Sequence, residues 1–210
     1  MKTKDKILAI ALRLFNERGI SNVSSRTISE EMKISYGNLC YHYARKDDII
    51  LALYVNMKAE MNEKLENMKQ EIFRFDFMVV SLKQLMEVYY KYRFVYLGMT
   101  KVTREFEPIR EHAKNLFEQN RMVLRSMAVF LTEGGFWRYE NVKGHNDMLI
   151  HNLLLILNAW IADSELFYEG KEEDKIDYYL EMLYTCIRGS LTKKGLEAFN
   201  LVYKDKKMSF

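Results

Sequence analysis

Between Ser24 and Lys46 the chain gathers side chains whose shared chemistry is hydrogen bonding to phosphate and to the edges of bases. Arg26 and Thr27 come first, then Ser35, Tyr36, Gly37 and Asn38, then Tyr41, His42 and Lys46. They supply a guanidinium, hydroxyls, an amide, phenols, an imidazole and an ammonium, and no acid lies between Lys33 and Lys46. Charged and hydroxyl groups of this kind hold the sugar-phosphate backbone, while amide, imidazole and aromatic groups can reach base edges. Arg26 and Thr27 open a short helix, where free backbone N–H groups add to the attraction for an anion. A glycine such as Gly37 inside a short helix is destabilising by roughly 1 kcal/mol relative to alanine. It makes sense where backbone must come close to a phosphate.

Placing these groups together requires two short helices joined tightly. Ser24 caps a helix over Ser25–Met32, with Ile28 and Met32 on its inner face. Lys33, Ile34 and Ser35 form the turn, and Ser35 caps a second helix, Tyr36–Tyr41, with Leu39 facing inward. Two such helices cannot make a core alone. A preceding amphipathic helix, Thr3 to Arg18, offers Ile7, Leu8, Ala11, Leu12 and Phe15 at spacings of three and four. Thr3 is its expected cap, and Gly19 stands where a helix commonly ends at positive φ. A fourth helix begins near Lys46, with Asp47 and Asp48 meeting its N-terminal dipole. Ile49, Ile50, Leu53, Val55 and Met57 carry it to about Met68. The pattern is that of a helix-turn-helix unit whose second helix enters the major groove.

In residues 3–57 the strings ILAIALRLFNERGI, RTISEEMKIS and above all SYGNLCYHYARKDDII resemble the N-terminal domain of the TetR/AcrR family of bacterial regulators. The resemblance implies that Arg26 and Thr27 contact phosphate and that Ser35, Tyr36, Gly37 and Asn38 open the recognition helix. It implies further that Tyr41 and His42 touch backbone and base edges, and that Lys46 clamps a phosphate. Tyr43 is expected in the core. Two positions depart from the family pattern. Cys40 replaces a phosphate-contacting tyrosine, so that contact is lost or moves to Tyr41. Lys33 replaces the glycine of the tight turn, so either the turn relaxes or a strained backbone is offset by charge near DNA.

Beyond residue 58 the reading is coarser. One proline and nine glycines in 210 residues do not punctuate a sheet protein, so an all-α fold follows. Helices are expected at about 76–92, 94–104, 108–133, 145–168 and 172–201, making about nine in total. Pro108 sits in a first turn, and the tail from Lys204 to Phe210 is expected to fray. The organisation expected is a three-helix DNA-binding domain over residues 1–48 and a larger ligand-sensing and dimerisation bundle over 49–210.

Charge follows the same division. Residues 1–58 hold ten Lys or Arg against six Asp or Glu, and the rest hold 22 against 23. The basic excess lies where phosphate would be met. Cys40 and Cys186 form no CxxC, and His145 and His151 are six apart, unsuited to sharing a metal on one helix face. Patterns such as GxGxxG, the P-loop, GxSxG and HExxH are absent, so no catalytic residue, cofactor or metal is expected. The start MKTKDKILAIALRLF is an amphipathic helix and not a secretory signal. The longest apolar run, Leu153–Leu157, falls far short of the ~20 residues that span a bilayer. A soluble, cytoplasmic protein is expected.

In TetR-like proteins the helical body encloses an effector pocket, and ligand shifts the spacing of two DNA-reading heads. By that resemblance Tyr89, Tyr92, Tyr96, Met99, Phe117, Arg121, His151 and Asn158 are candidates for the pocket, although residue by residue helix-bundle core is the better account of the aromatics. The run LIHNLLLILNAWIADSELF is apolar on more than one face, more than a monomer's surface carries. The last two long helices are therefore expected to form a twofold, four-helix interface. The expected partners are double-stranded DNA with a palindromic operator, a small apolar or amphipathic effector, and a second copy of the chain. The expected activity is ligand-released repression. Two other readings stay open: an enzyme with a helical body and a DNA-binding head, and an effector-free architectural protein.

Overall fold

Residue by residue, apolar spacing and capping account for most of the helices in the computed structural model, which describes residues 2–69, 75–139 and 142–203. Helix α1 (Thr3–Arg18) buries Ile7, Ala11, Leu14 and Phe15, so Leu14 takes the place expected of Leu8 and Leu12, which are half-buried. Thr3 is the first helical residue and not the cap. The Asp5 carboxylate accepts from the Lys2 backbone N–H at 3.3 Å and closes that end. Gly19, at φ 76°, ends the helix and donates its N–H to the Phe15 carbonyl. A 3-10 turn, Ile20–Asn22, leads to α2 (Ser25–Glu31), a turn, and α3 (Tyr36–His42).

Helix α4 (Lys46–Lys69) starts where Asp48 accepts the Arg45 backbone N–H at 2.8 Å. It buries Ile49, Ile50, Leu53, Tyr54 and Met57; Val55, expected inside, is 62% exposed, and Tyr54 occupies the inner face instead. Then come α5 (Phe75–Lys91), α6 (Arg93–Leu97), α7 (Met99–Glu105), α8 (Glu107–Glu133), α9 (His145–Phe167), α10 (Lys175–Arg188) and α11 (Lys193–Tyr203). The tail, 204–210, lies outside the described residues.

Eleven α-helices therefore stand among the described residues where about nine are expected, because two expected helices each break once. The segment expected to be helical from 94 to 104 breaks at Gly98 (φ −100°, ψ 12°). There a Cβ would lie 3.1 Å from the Phe94 carbonyl oxygen. The segment expected over 172–201 breaks after Arg188. Ser190 to Thr192 leave the helix to bond Phe136–Arg138, with the Arg138 N–H donating to Ser190 O at 2.8 Å and the Thr192 N–H to Phe136 O at 3.0 Å. That pairing is tertiary, and helical periodicity carries no trace of it.

The chain divides into two compact units, and the division does not fall at residue 48. One unit comprises residues up to Asn62 together with Val88–Ile109, and the other comprises Glu63–Glu87 with residues from Arg110 onward. The physical reason is visible in the first unit. Asn16 of α1 donates from Nδ2 to the Lys91 carbonyl at 2.9 Å and accepts the Phe94 N–H on Oδ1 at 3.0 Å, tying the start of α6 to the head. In the second unit α9 packs along α10, with Trp160 and Tyr179 ring centroids 5.5 Å apart. No helix among the described residues is long and apolar enough to cross a membrane.

Candidate nucleic-acid interface

Both short helices are held by caps written locally in the sequence. The Ser24 hydroxyl accepts the Thr27 N–H at 3.1 Å, and the two hydroxyls lie 2.9 Å apart, closing a reciprocal capping box. Ser35 repeats the cap on α3 by accepting the Asn38 N–H at 3.1 Å. Helix α2 is fixed to α1 by Glu31, which pairs with Arg13. Ile28 and Leu39 are fully buried and anchor the inner faces, and Tyr43, 5% exposed, lies in the core. With its inner face anchored, α3 presents its other side to solvent.

That outer side carries Tyr36 (47% exposed), Gly37, Asn38 and Tyr41 (85% exposed), with His42 half-buried and its ring 5.2 Å from that of Tyr41. Beyond its chain neighbours and its own helix backbone, a Cβ on Gly37 would meet no atom of the described residues within 4 Å. Nothing inside the protein requires glycine there. The Arg26 guanidinium of α2 lies over the Tyr36 ring at 5.7 Å, joining a cation from one helix to the recognition face of the other. One turn along α3, interaction with the Cys40 thiol pushes the Tyr36 phenol above its ordinary value. Cys40 is half-buried, and Tyr41 is the more exposed of the two phenols on that face.

Two residues assigned to phosphate have work inside the chain. The Thr27 hydroxyl belongs to the capping box. The Lys46 ammonium donates to the carbonyls of Ile20 and Val23 at 3.0 and 3.1 Å, which holds the 3-10 turn against the start of α4. An ammonium has three N–H donors, so one remains for an outside acceptor. Lys33 keeps the positive φ (56°) that glycine would adopt freely, the only non-glycine residue to do so among those described. The turn has not relaxed, and its strain is held by the Lys33 N–H to Glu30 carbonyl and Ile34 N–H to Ser29 carbonyl bonds, each 3.0 Å.

The eight residues expected around an effector divide between the two units. Tyr89, Tyr92, Tyr96 and Met99 belong to the first unit, and Phe117, Arg121, His151 and Asn158 to the second. Tyr89 and Tyr96 stack on each other with centroids 4.7 Å apart, fully occupied by packing, and burial raises the Tyr89 phenol to about 12. Tyr92 donates to Glu60 at 2.7 Å. Met99 is half-buried. In the second unit His151 is exposed with its ring against Phe117, Arg121 pairs with Glu118, and Asn158 donates to the Leu154 carbonyl of its own helix at 2.7 Å.

The cavity that the second unit does contain, about 170 Å³, is lined by none of these eight. Its wall is mostly Leu, Ile and Val from α5, α8, α9 and α10, together with Trp137, Tyr184, Asn120 and Asn146. In sequence such residues are indistinguishable from core. The one available signal is that Leu149, Leu153 and Leu157 recur every four residues on α9, facing Leu183 and Ile187 on α10.

A capped pair of short helices, the second presenting a basic-to-neutral aromatic face, defines a helix-turn-helix protein with a helical body. The profile described as bacterial regulatory proteins, tetR family, matches residues 7–53, and that described as bacterial transcriptional repressor, TetR, matches residues 56–199. The chain belongs to the TetR family of bacterial transcriptional regulators. It is 32% identical over 91 residues to the HTH-type transcriptional regulator SAB2452 of Staphylococcus aureus (strain bovine RF122 / ET3-1), covering 41% of this chain and 48%, about half, of that relative. A TetR-family regulator from Marinobacter aquaeolei VT8 has the same fold, with a TM-score of 0.84 at 21% identity over 99% of this chain and 100% of that one. A regulator from Saccharomonospora viridis solved with choline (TM-score 0.67, 19% identity, 90% and 98% covered) and a gamma-butyrolactone receptor (TM-score 0.67, 15% identity, 95% and 94% covered) share the architecture.

Proposed function

We propose that this chain is an operator-binding repressor that works as a homodimer and is released by a small molecule. The observation that carries the DNA-reading part is the outer face of α3. Gly37 there has open space around it, Tyr41 is 85% exposed, and neither arrangement serves the fold. A large aromatic left in water beside a destabilising glycine is explained by a surface outside the chain. Arg26, Thr27, Ser35 and the free donor of Lys46 flank that face and position it on phosphate, while Tyr36, Asn38, Tyr41 and His42 reach base edges.

One recognition helix reads few bases, so a dimer on a palindrome with half-sites about 34–36 Å apart is the arrangement that gives specificity. The apolar surface left on α9 and α10 supplies the dimer contact. Effector release then follows as a population shift: the ligand favours the form whose heads do not match successive major grooves. Relatives of this fold include one solved with choline and one described as a gamma-butyrolactone receptor, which supports a small-molecule effector for this chain as well.

The test is operator binding by Tyr41→Ala and His42→Ala. Each should weaken binding about tenfold or more, the cost of one good base or phosphate contact, with circular dichroism and Tm unchanged. Unaltered affinity in both variants overturns the assignment of this face to DNA.

A further inference from the structure

The cavity in the second unit has a wall of a particular chemistry. Among the described residues that line it there is no Asp, Glu, Lys, Arg or His. Four carry polar side-chain groups, and two of these are turned toward each other, the Trp137 indole N–H donating to the Asn146 Oδ1 at 3.2 Å. Burial holds the Tyr184 phenol far above its ordinary value, so it stays neutral, and its ring stands edge-on to Phe199 at 5.4 Å. What remains for a ligand is hydrocarbon with two amides, those of Asn120 and Asn146, at the margin. Val123, on its wall, is 44% exposed.

Size and polarity together select the occupant. An apolar cavity of about 150 Å³ excludes water and admits benzene. A space of about 170 Å³ is of that order and well below the several hundred Å³ typical of drug-sized ligands. An ion would lose its hydration here and find no counter-charge among the described residues, which disfavours carboxylates and ammonium compounds alike. A neutral hydrocarbon loses nothing polar and gains contact with leucine and isoleucine on every side.

We propose that this cavity binds a neutral, compact, apolar molecule of one to two rings, with at most one hydrogen-bonding group set against Asn120 or Asn146. Resting on the effector-release reading above, this names the ligand class of that site. Choline-like cations and fatty-acid carboxylates are outside it.

The experiment uses the full chain and four probes: benzene and indole, against benzoate and benzylamine, which are of similar size and charged at neutral pH. Benzene and indole should raise Tm by about 5–10 °C at a concentration roughly a hundredfold above their Kd. The two charged probes should leave Tm unchanged. Ala128→Phe, which fills the cavity from α8, should abolish the rise. Absence of a rise with either neutral probe, an equal rise with the charged pair, or a rise retained in folded Ala128→Phe overturns the proposal. If Ala128→Phe does not fold, the neutral-against-charged comparison in the parent chain decides alone. Operator affinity measured with the same probes separates the two readings: a cavity that fills while the operator stays bound upholds the ligand class and overturns effector release.

Discussion

Gly37 shows how a single position can work against the fold. Inside α3 it gives up about 1 kcal/mol relative to alanine. No neighbouring atom within 4 Å forbids a methyl group. Gly37→Ala should therefore raise stability by up to about 1 kcal/mol, or about 2–4 °C in Tm, because the backbone stays helical and the unfolded chain loses freedom. The same methyl group sits on the face assigned to DNA and should weaken operator binding at least about tenfold by keeping backbone away from it. Thermal melts and operator titrations on one preparation check both signs. A variant that is more stable and still binds fully would show that this backbone does not approach DNA. Lys46 is the opposite case, since its ammonium serves the fold through Ile20 and Val23. Lys46→Ala should lose about 1–2 kcal/mol of stability with those bonds. It should also reduce the slope of log affinity against log salt by about one. A stability loss with an unchanged slope would confine Lys46 to the fold.

Elements were legible in the sequence wherever a local rule fixed them. Ser24 and Ser35 cap as their positions suggest, and Gly19 ends α1 at positive φ. Helices α8 and α9 begin and end within a residue or two of the expected limits. Breaks set by distant partners were not legible: Ser190–Thr192 abandon the helix for Phe136–Arg138. The cavity of the second unit was not legible for a related reason. Tyr89 and Tyr96 have the aromatic character of a ligand cage but face each other, while the cavity is walled by leucines that read as core. The Asn16 clamp is likewise invisible in sequence, because its partners, the Lys91 carbonyl and Phe94 N–H, lie 75 and 78 residues away. One is a backbone carbonyl at the end of α5 and the other a backbone N–H at the start of α6, and the Asn16 amide satisfies both with one donor and one acceptor. Asn16→Ala should lower stability by about 1–3 kcal/mol by leaving them unpaired. Asn16→Asp, which keeps only the acceptor, should fall between the two in chemical denaturation. Equal stability of all three would show that solvent replaces the clamp at no cost.

At the scale of the whole molecule, the second unit leaves large apolar side chains exposed. Along α9, Met148 is 65% exposed, Leu155 58%, Leu166 75% and Phe167 72%, and Met148, Leu155 and Ala162 recur every seven residues. On α10, Tyr178 and Met182, four residues apart, remain 47% and 40% exposed. A stripe with this period seams one helix against another, and the same stripe on a second copy is its natural complement about a twofold axis. Leu155 sits in the middle of it, exposed within the protomer, so a charge there costs the isolated chain little. In the proposed dimer a twofold axis would bring the substitution in twice, and burying an unpaired charge costs about 3–5 kcal/mol. Leu155→Arg should therefore keep its helical signal and run as a monomer near 10 µM, roughly a concentration at which the parent elutes as a dimer, with association weakened at least about a hundredfold. Operator binding should fall with it, because each head alone reads only half a site. Sedimentation of both proteins across a concentration series gives the answer. A parent chain that sediments as a monomer, or a Leu155→Arg variant as dimeric as its parent, would remove this face from the assembly.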